Sequence, residues 1–289
     1  MTASANKIVF GAVLYRQALI FLNDFITSVS GQAGAGFDLL FVNDNLTWDE
    51  MDYILTELRT RYFAGRVNII QGDMKKSIAD FRIQLLSTAK KLGYELLVIG
   101  DCDDTFSRDR IKAAVGMAVK FQSAAFFYND IIGEDLSPLM LEIPSQVQNI
   151  EQISQYNFLG MSNTTIRLDA LENHFIESLY DGSCPIFDWY LYSRMLLAGK
   201  YGVKTVDAYT KYRLYDGNAV GIPDNNLACI LREKEVKHRH YHLLREKSRL
   251  FSTLSSMLDA VEIDETFYVS QYCRRELKNY WWEKILLEV

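Results

Sequence analysis

The 289-residue chain has room for one large α/β domain or a catalytic domain with an appendage, and its 49% hydrophobic content is that of a globular enzyme. A formal net charge of -6 and a pI near 5.4 exclude the net basic footprint expected of a nucleic-acid binder. Cysteines at 102, 184, 229 and 273 are widely spaced with no CxxC pair, which suits a reducing compartment better than a disulfide framework.

The N-terminal run MTASANKIVFGAVLY has strand character and lacks the charged n-region, long h-region and cleavage site of a signal peptide. No stretch reaches the roughly 18 uninterrupted apolar residues needed to span a bilayer, so the expectation is a soluble cytoplasmic protein. Short apolar runs at Ile8–Leu14, Asp38–Val42, Val67–Gln71, Glu95–Ile99 and Ala124–Tyr128 are continuous rather than alternating, as in strands covered on both faces. Helical patterns fall between them near 17–30, 48–62, 75–92 and 107–120. Thr47 and Glu50 form a T-x-x-E capping box, and Gly93 stands where a helix C-cap belongs. This rhythm predicts a mostly parallel sheet flanked by helices, joined by right-handed crossovers.

Beyond residue 131 the pattern loosens. A loop with Pro138 and Pro144 leads to an expected strand at Phe158–Arg167, a helix near 168–180 and a second helix at 186–198 that stops at Gly199. Short strands are expected at 203–207 and 209–214. From 226 to the end the chain reads as helical, giving a division into a catalytic domain over 1–225 and a helical extension over 226–289.

Ligands of open parallel sheets bind beyond the carboxyl ends of the strands. That rule selects Asp44 after the second strand, Asp101, Asp103 and Asp104 after the fourth, and Asn129 and Asp130 after the fifth. Three carboxylates within four residues repel one another unless something cationic neutralises them, and Mg²⁺ or Mn²⁺ would do so while keeping positions open for phosphate. Two other readings compete. One is an Asp-rich turn before the helix near Ser107. The other is the h-D-x-D-x-T nucleophile of haloacid-dehalogenase-like phosphatases, matched by Ile99-Gly-Asp-Cys-Asp-Asp-Thr. That motif normally ends a first strand, whereas three βα units come first here.

With these residues in order, the chain resembles the family 2 glycosyltransferases of the GT-A fold over roughly residues 7–220. Phe41-Val-Asn-Asp-Asn-Leu-Thr-Trp-Asp matches the acidic loop that holds the nucleotide base. Gly72-Asp-Met-Lys-Lys-Ser-Ile-Ala-Asp-Phe-Arg follows as the basic helix, leading to the strand that ends in D-x-D-D. Leu159-Gly-Met-Ser-Asn-Thr-Thr-Ile-Arg matches a strand with small polar residues. Phe187-Asp-Trp through Arg194 and Gly199 matches an acid opening a helix that ends in Arg-x-x-x-x-Gly. Tyr212-Arg213 with Asn218 matches a Y-R-x-x-x-x-N segment that closes over the donor. The P-x-Y-N usual after the first strand is replaced by Gly11-Ala-Val-Leu-Tyr-Arg-Gln, which keeps only the Tyr.

The resemblance implies a metal-dependent transfer of a sugar from a nucleoside diphosphate to an acceptor hydroxyl, with inversion. Asp103 would hold the metal with Asp101 and Asp104 nearby, and Asp101 would also reach the donor. Asp44 would accept from the base unless it merely caps the next helix. Asp73, Ser162, Asn163 and Asn218 would line the donor site, Arg213 would offset diphosphate charge, and Asp188 would be the general base. A saccharide or lipid-linked acceptor, as in surface-polysaccharide synthesis, is the expected partner. A noncatalytic nucleotide-sugar-binding module is the alternative from another class. Seven Lys/Arg against three Glu between Arg232 and Arg249 make the extension a candidate for docking on the catalytic domain, on a second subunit or peripherally on an anionic membrane. His238 and His242, one helical turn apart, read as a solvated face rather than a zinc pair.

Overall fold

The computed structural model describes residues 7–72, 76–180, 184, 186–215, 227–262 and 277–288. Its strands, in chain order, are β1 (Ile8–Tyr15), β2 (Asp38–Asp44), β3 (Val67–Gln71), β4 (Leu96–Ile99), β5 (Thr105–Phe106), β6 (Phe126–Ile132), β7 (Gln146–Val147), β8 (Thr164–Arg167) and β9 (Gly202–Lys211). The α-helices are α1 (Leu22–Ser30), α2 (Trp48–Thr60), α3 (Ile78–Lys91), α4 (Arg110–Lys120), α5 (Asn173–Glu177), α6 (Phe187–Leu197), α7 (Leu227–Leu244) and α8 (Arg249–Asp259). Two compact units emerge. The first comprises Met1–Pro138, Met161–Tyr180 and Gly202–Arg213; the second comprises Leu139–Gly160, Asp181–Tyr201 and Leu214–Val289.

In the first unit the sheet runs β3-β2-β1-β4-β8-β6-β9-β5. The β3-β2-β1-β4 half is parallel throughout, β6 and β9 are parallel, and β8 lies antiparallel between β4 and β6. All of β4, and all but the last residue of β1 and β2, is buried, as continuous apolar runs covered on both faces require. Helices start where local chemistry satisfies their free N–H groups. Thr47 and Glu50 form the expected capping box, and Ser77 with Asp80 forms a second one at α3. Gly93, at φ 81, closes α3 in the left-handed region.

Some expected elements differ. Residues 16–21 form a 3₁₀ turn before α1 rather than α-helix. β6 extends through Ile132, so Asn129 and Asp130 lie within a strand and not beyond its end. The strand expected over Phe158–Arg167 is regular only from Thr164, and the helix expected over 168–180 reduces to a 3₁₀ turn and α5. The two strands expected at 203–214 are one, β9, kinked at Asp207 with φ 60, where its register with β6 shifts.

In the second unit α7 and α8 pack together, and α7 meets α6 where the Trp189 and His240 rings stack at 4.0 Å. The extension expected from residue 226 thus shares a unit with residues 139–160 and 181–201. Lys237 is wholly buried, paired with Glu233 at 3.0 Å and donating to the Ile285 carbonyl. Arg239 pairs with Glu235 and Arg245 with Glu246, so with Lys237 three of the seven basic residues have an acidic partner on the same helix or beside it, and exposed His238 lies 3.2 Å from Asp259. Among the described residues no helix is long and apolar enough to cross a membrane.

Candidate functional site

The site is built at the carboxyl end of β4. Gly100 follows it with its N–H donated to the Gly11 carbonyl, and a Cβ there would lie 2.4 Å from Phe106 Cζ and 2.5 Å from Phe10 Cζ. Only glycine lets the chain pass between these rings. The loop Asp101–Asp104 then turns back, with Asp104 N–H donating to the Asp101 carbonyl at 3.2 Å, and enters β5.

Two antiparallel pairings bring distant residues onto this loop. Because β8 runs against β4, with Val98 opposite Thr165, the residues preceding β8 lie beyond the end of β4. Ser162 is thereby placed to accept the Asp101 N–H at 3.1 Å and to donate its own hydroxyl proton to Asp104 Oδ2. Because β5 runs against β9, with Thr105 opposite Lys211, the residues after β9 meet Asp103 and Asp104. Arg213 N–H donates to Asp104 Oδ1 at 3.0 Å, and Arg213 Nε to the Asp103 carbonyl at 3.0 Å. Asn163 accepts the Asn129 N–H at its carbonyl and donates its side-chain amide to the Asn129 carbonyl, and Thr210 donates its hydroxyl to the Ser162 carbonyl, so the 161–163 segment is fixed from behind.

The three carboxylates have different environments. Asp104 is 1% exposed, and both its oxygens accept protein hydrogen bonds. Burial, then the charges of Asp103 and Asp101, push its carboxyl well above the usual carboxylate range. Asp103 is 8% exposed. Asp101 is the most open of the three and is held by Arg82 of α3 at 3.2 Å. Burial also pushes the Cys102 thiol up, so the residue between the acids stays protonated. Among the described residues no three His, Cys, Asp or Glu side chains converge as a metal cage. The donor set does fit a hard divalent ion of another kind, since Mg²⁺ and Mn²⁺ take one or two carboxylates and fill other positions with water and substrate phosphate. Asp101 and Asp103 are the residues that would hold it.

Asp44 ends β2 beside Tyr15 of β1. Thr47 caps α2, not Asp44, and the Asp44 carboxylate has no hydrogen-bond partner among the described residues. Partial burial raises its proton affinity. Asp73 and Asn218 lie outside the described residues. Asp188 belongs to the second unit, in the first turn of α6, where it accepts from the Trp189 N–H at 2.6 Å. Arg82 closes the quoted Gly72–Arg82 motif without a role assigned to it there, and buried Arg110 lies in none of the motifs. Arg110 donates to the Ile99 and Thr164 carbonyls and lies 4.5 Å over the Phe106 ring, placing a positive charge directly behind the acid loop.

No protein-family model matches the chain, and no curated protein sequence does. Solved structures do. A mannosyltransferase, PcManGT from Pyrobaculum calidifontis, in complex with GDP-Man and Mn²⁺, superposes with TM-score 0.60 at 11% identity, over 90% of this chain and 71% of that one. S. aureus TarS 1-349 superposes with TM-score 0.55 at 14% identity, over 91% and 77%. Its complex with UDP-GlcNAc gives 0.55 at 15%, over 91% and 78%. The chain has the GT-A fold. In this sheet the acid loop follows the fourth strand, as the sequence placed it, and that strand lies next to β1.

Proposed function

We propose that the protein is a glycosyltransferase that moves a sugar from a nucleoside diphosphate to an acceptor hydroxyl, using Mg²⁺ or Mn²⁺. The observation that carries this reading is the braced Asp101–Asp104 loop at the carboxyl end of β4, flanked by Asp44 at the end of β2. Support comes from structural neighbours solved with GDP-Man and Mn²⁺ and with UDP-GlcNAc. The bound cation would neutralise charge on the leaving diphosphate. Asp101 and Asp103 would hold it, and Asp44, freed from helix capping, would accept from the base. Arg82 fixes the Asp101 carboxylate on the donor side. Asp188 would take the proton of the acceptor hydroxyl, an assignment resting on its sequence motif. Inversion at the anomeric carbon, a hexosyl donor, a saccharide or lipid-linked acceptor and a role in surface polysaccharide are parts of the same proposal.

A panel of UDP-, GDP- and TDP-sugars with Mn²⁺, read by nucleotide release and by calorimetric binding, tests it. Asp103→Ala is expected to abolish metal-dependent nucleotide binding, and Asp188→Asn to abolish transfer while leaving that binding intact. Binding that is unchanged in Asp103→Ala would sink the site assignment. Nucleotide-sugar binding without turnover for any donor and acceptor pair would point instead to a noncatalytic module.

A further inference from the structure

The resemblance gives Arg213 the task of offsetting diphosphate charge, but its contacts in the first unit describe a different one. Its guanidinium meets Asp24 Oδ2 at 2.9 Å and Glu134 Oε1 at 3.5 Å, with Cζ 4.5 Å over the Phe21 ring. Its Nε donates to the Asp103 carbonyl, and its backbone N–H to Asp104 Oδ1. One residue thus ties the acid loop to α1 through Asp24 and to the residues after β6 through Glu134. The guanidinium fork is directed by two carboxylates and an aromatic face, an arrangement that fixes a plane as a flexible ammonium would not.

We propose that Arg213 is a positioning residue, with Asp24 and Glu134 orienting its guanidinium so that the backbone of Asp103 and the side chain of Asp104 are held where Asp101 and Asp103 can share one cation. This deepens the glycosyltransferase reading and rests on it for the identity of the cation. Groups that orient ligands typically change metal affinity by about 10- to 100-fold when removed. The two roles for Arg213 make opposite predictions for its acidic partners. A brace is loosened by Asp24→Asn or Glu134→Gln, so both should act in the same direction as Arg213→Gln. A diphosphate ligand would be released by those substitutions and bind nucleotide more tightly.

The test has two arms. The first measures amide hydrogen exchange over residues 99–106 in the metal-free protein. Arg213→Gln and the Asp24→Asn/Glu134→Gln double variant are expected to exchange faster there, and Arg213→Lys to exchange at an intermediate rate because the charge is kept but the fork is lost. Unchanged exchange in variants with wild-type thermal melts would overturn the brace. The second arm titrates Mn²⁺ with UDP and with GDP. All these variants should weaken Mn²⁺ binding, whereas tighter nucleotide binding in Asp24→Asn or Glu134→Gln would overturn the proposal in favour of direct contact. A wild-type protein that binds no Mn²⁺ with either nucleotide would refute the glycosyltransferase reading, while the exchange arm would still decide the brace.

Discussion

The Ser162 hydroxyl sits between two members of the acid loop, accepting the Asp101 N–H at 3.1 Å and donating to the Asp104 carboxylate. This makes Asp104 a strut between three chain segments, with consequences for pH dependence. Its carboxyl is raised above the ordinary value by burial and by its acidic neighbours, so the folded state holds this proton more tightly than the unfolded chain. Such a group contributes stability that is fully present below the unfolded carboxylate range and is lost as pH rises through the raised folded value. Asn at 104 can accept from Arg213 and donate to Ser162 without titrating. Thermal melts in chelator should therefore show Asp104→Asn gaining on the wild type as pH rises from about 4 to 8. A difference that stays constant with pH, or shrinks, would contradict this account.

Arg110 supplies the fixed positive charge behind the loop. At 1% exposure it donates to the Ile99 and Thr164 carbonyls, which both lie where β4 and β8 end or begin. Arg110→Met keeps the apolar stem against Phe106 but leaves two buried carbonyls without this donor. The expected cost is about 2–4 kcal/mol, measured by urea unfolding. Arg110→Lys should recover only part of it, since both bonds come from Nη2 and the shorter lysine stem sets its ammonium elsewhere.

What the sequence made legible follows from how local each signal is. Continuous apolar runs announced β1 to β4, and the acids after β2 and β4 could be assigned to one sheet edge because parallel crossovers put those ends together. The partners of the acid loop were visible only as motif letters. Ser162 reaches Asp101 through the antiparallel β4–β8 register, and Arg213 reaches Asp104 through the β5–β9 register, which are tertiary facts no window of sequence contains. Arg110 was hidden for the same reason, as a single basic residue in an amphipathic helix, and Arg82 was quoted only as a motif letter, without its contact to Asp101. Asp44 was ambiguous between a cap and a ligand, and the cap of α2 is Thr47. The β9 kink at Asp207 looked like a strand break because a left-handed residue interrupts the alternation without ending the pairing.

The second unit carries a titration of opposite sign. His240 of α7 is fully buried, stacked on Trp189 of α6 at 4.0 Å with its Nε2 3.4 Å from Ser193 Oγ, and burial lowers its pKa to about 3, helped by the Lys237 charge. Because the folded value lies below the unfolded one, the unfolded chain takes up the proton first. Stability tied to a neutral His240 is present above the unfolded value near 6.5 and is lost as pH falls toward about 3. The slope can reach about 1.4 kcal/mol per pH unit within that window. His240→Phe preserves a ring on Trp189 and removes the titration, so its melts should fall less steeply than the wild type's between pH 6 and about 4. Near-ultraviolet circular dichroism, which senses the packing of Trp189, is the readout for this unit. Parallel acid curves for the two proteins would mean that His240 does not govern the acid response of the α6–α7 contact.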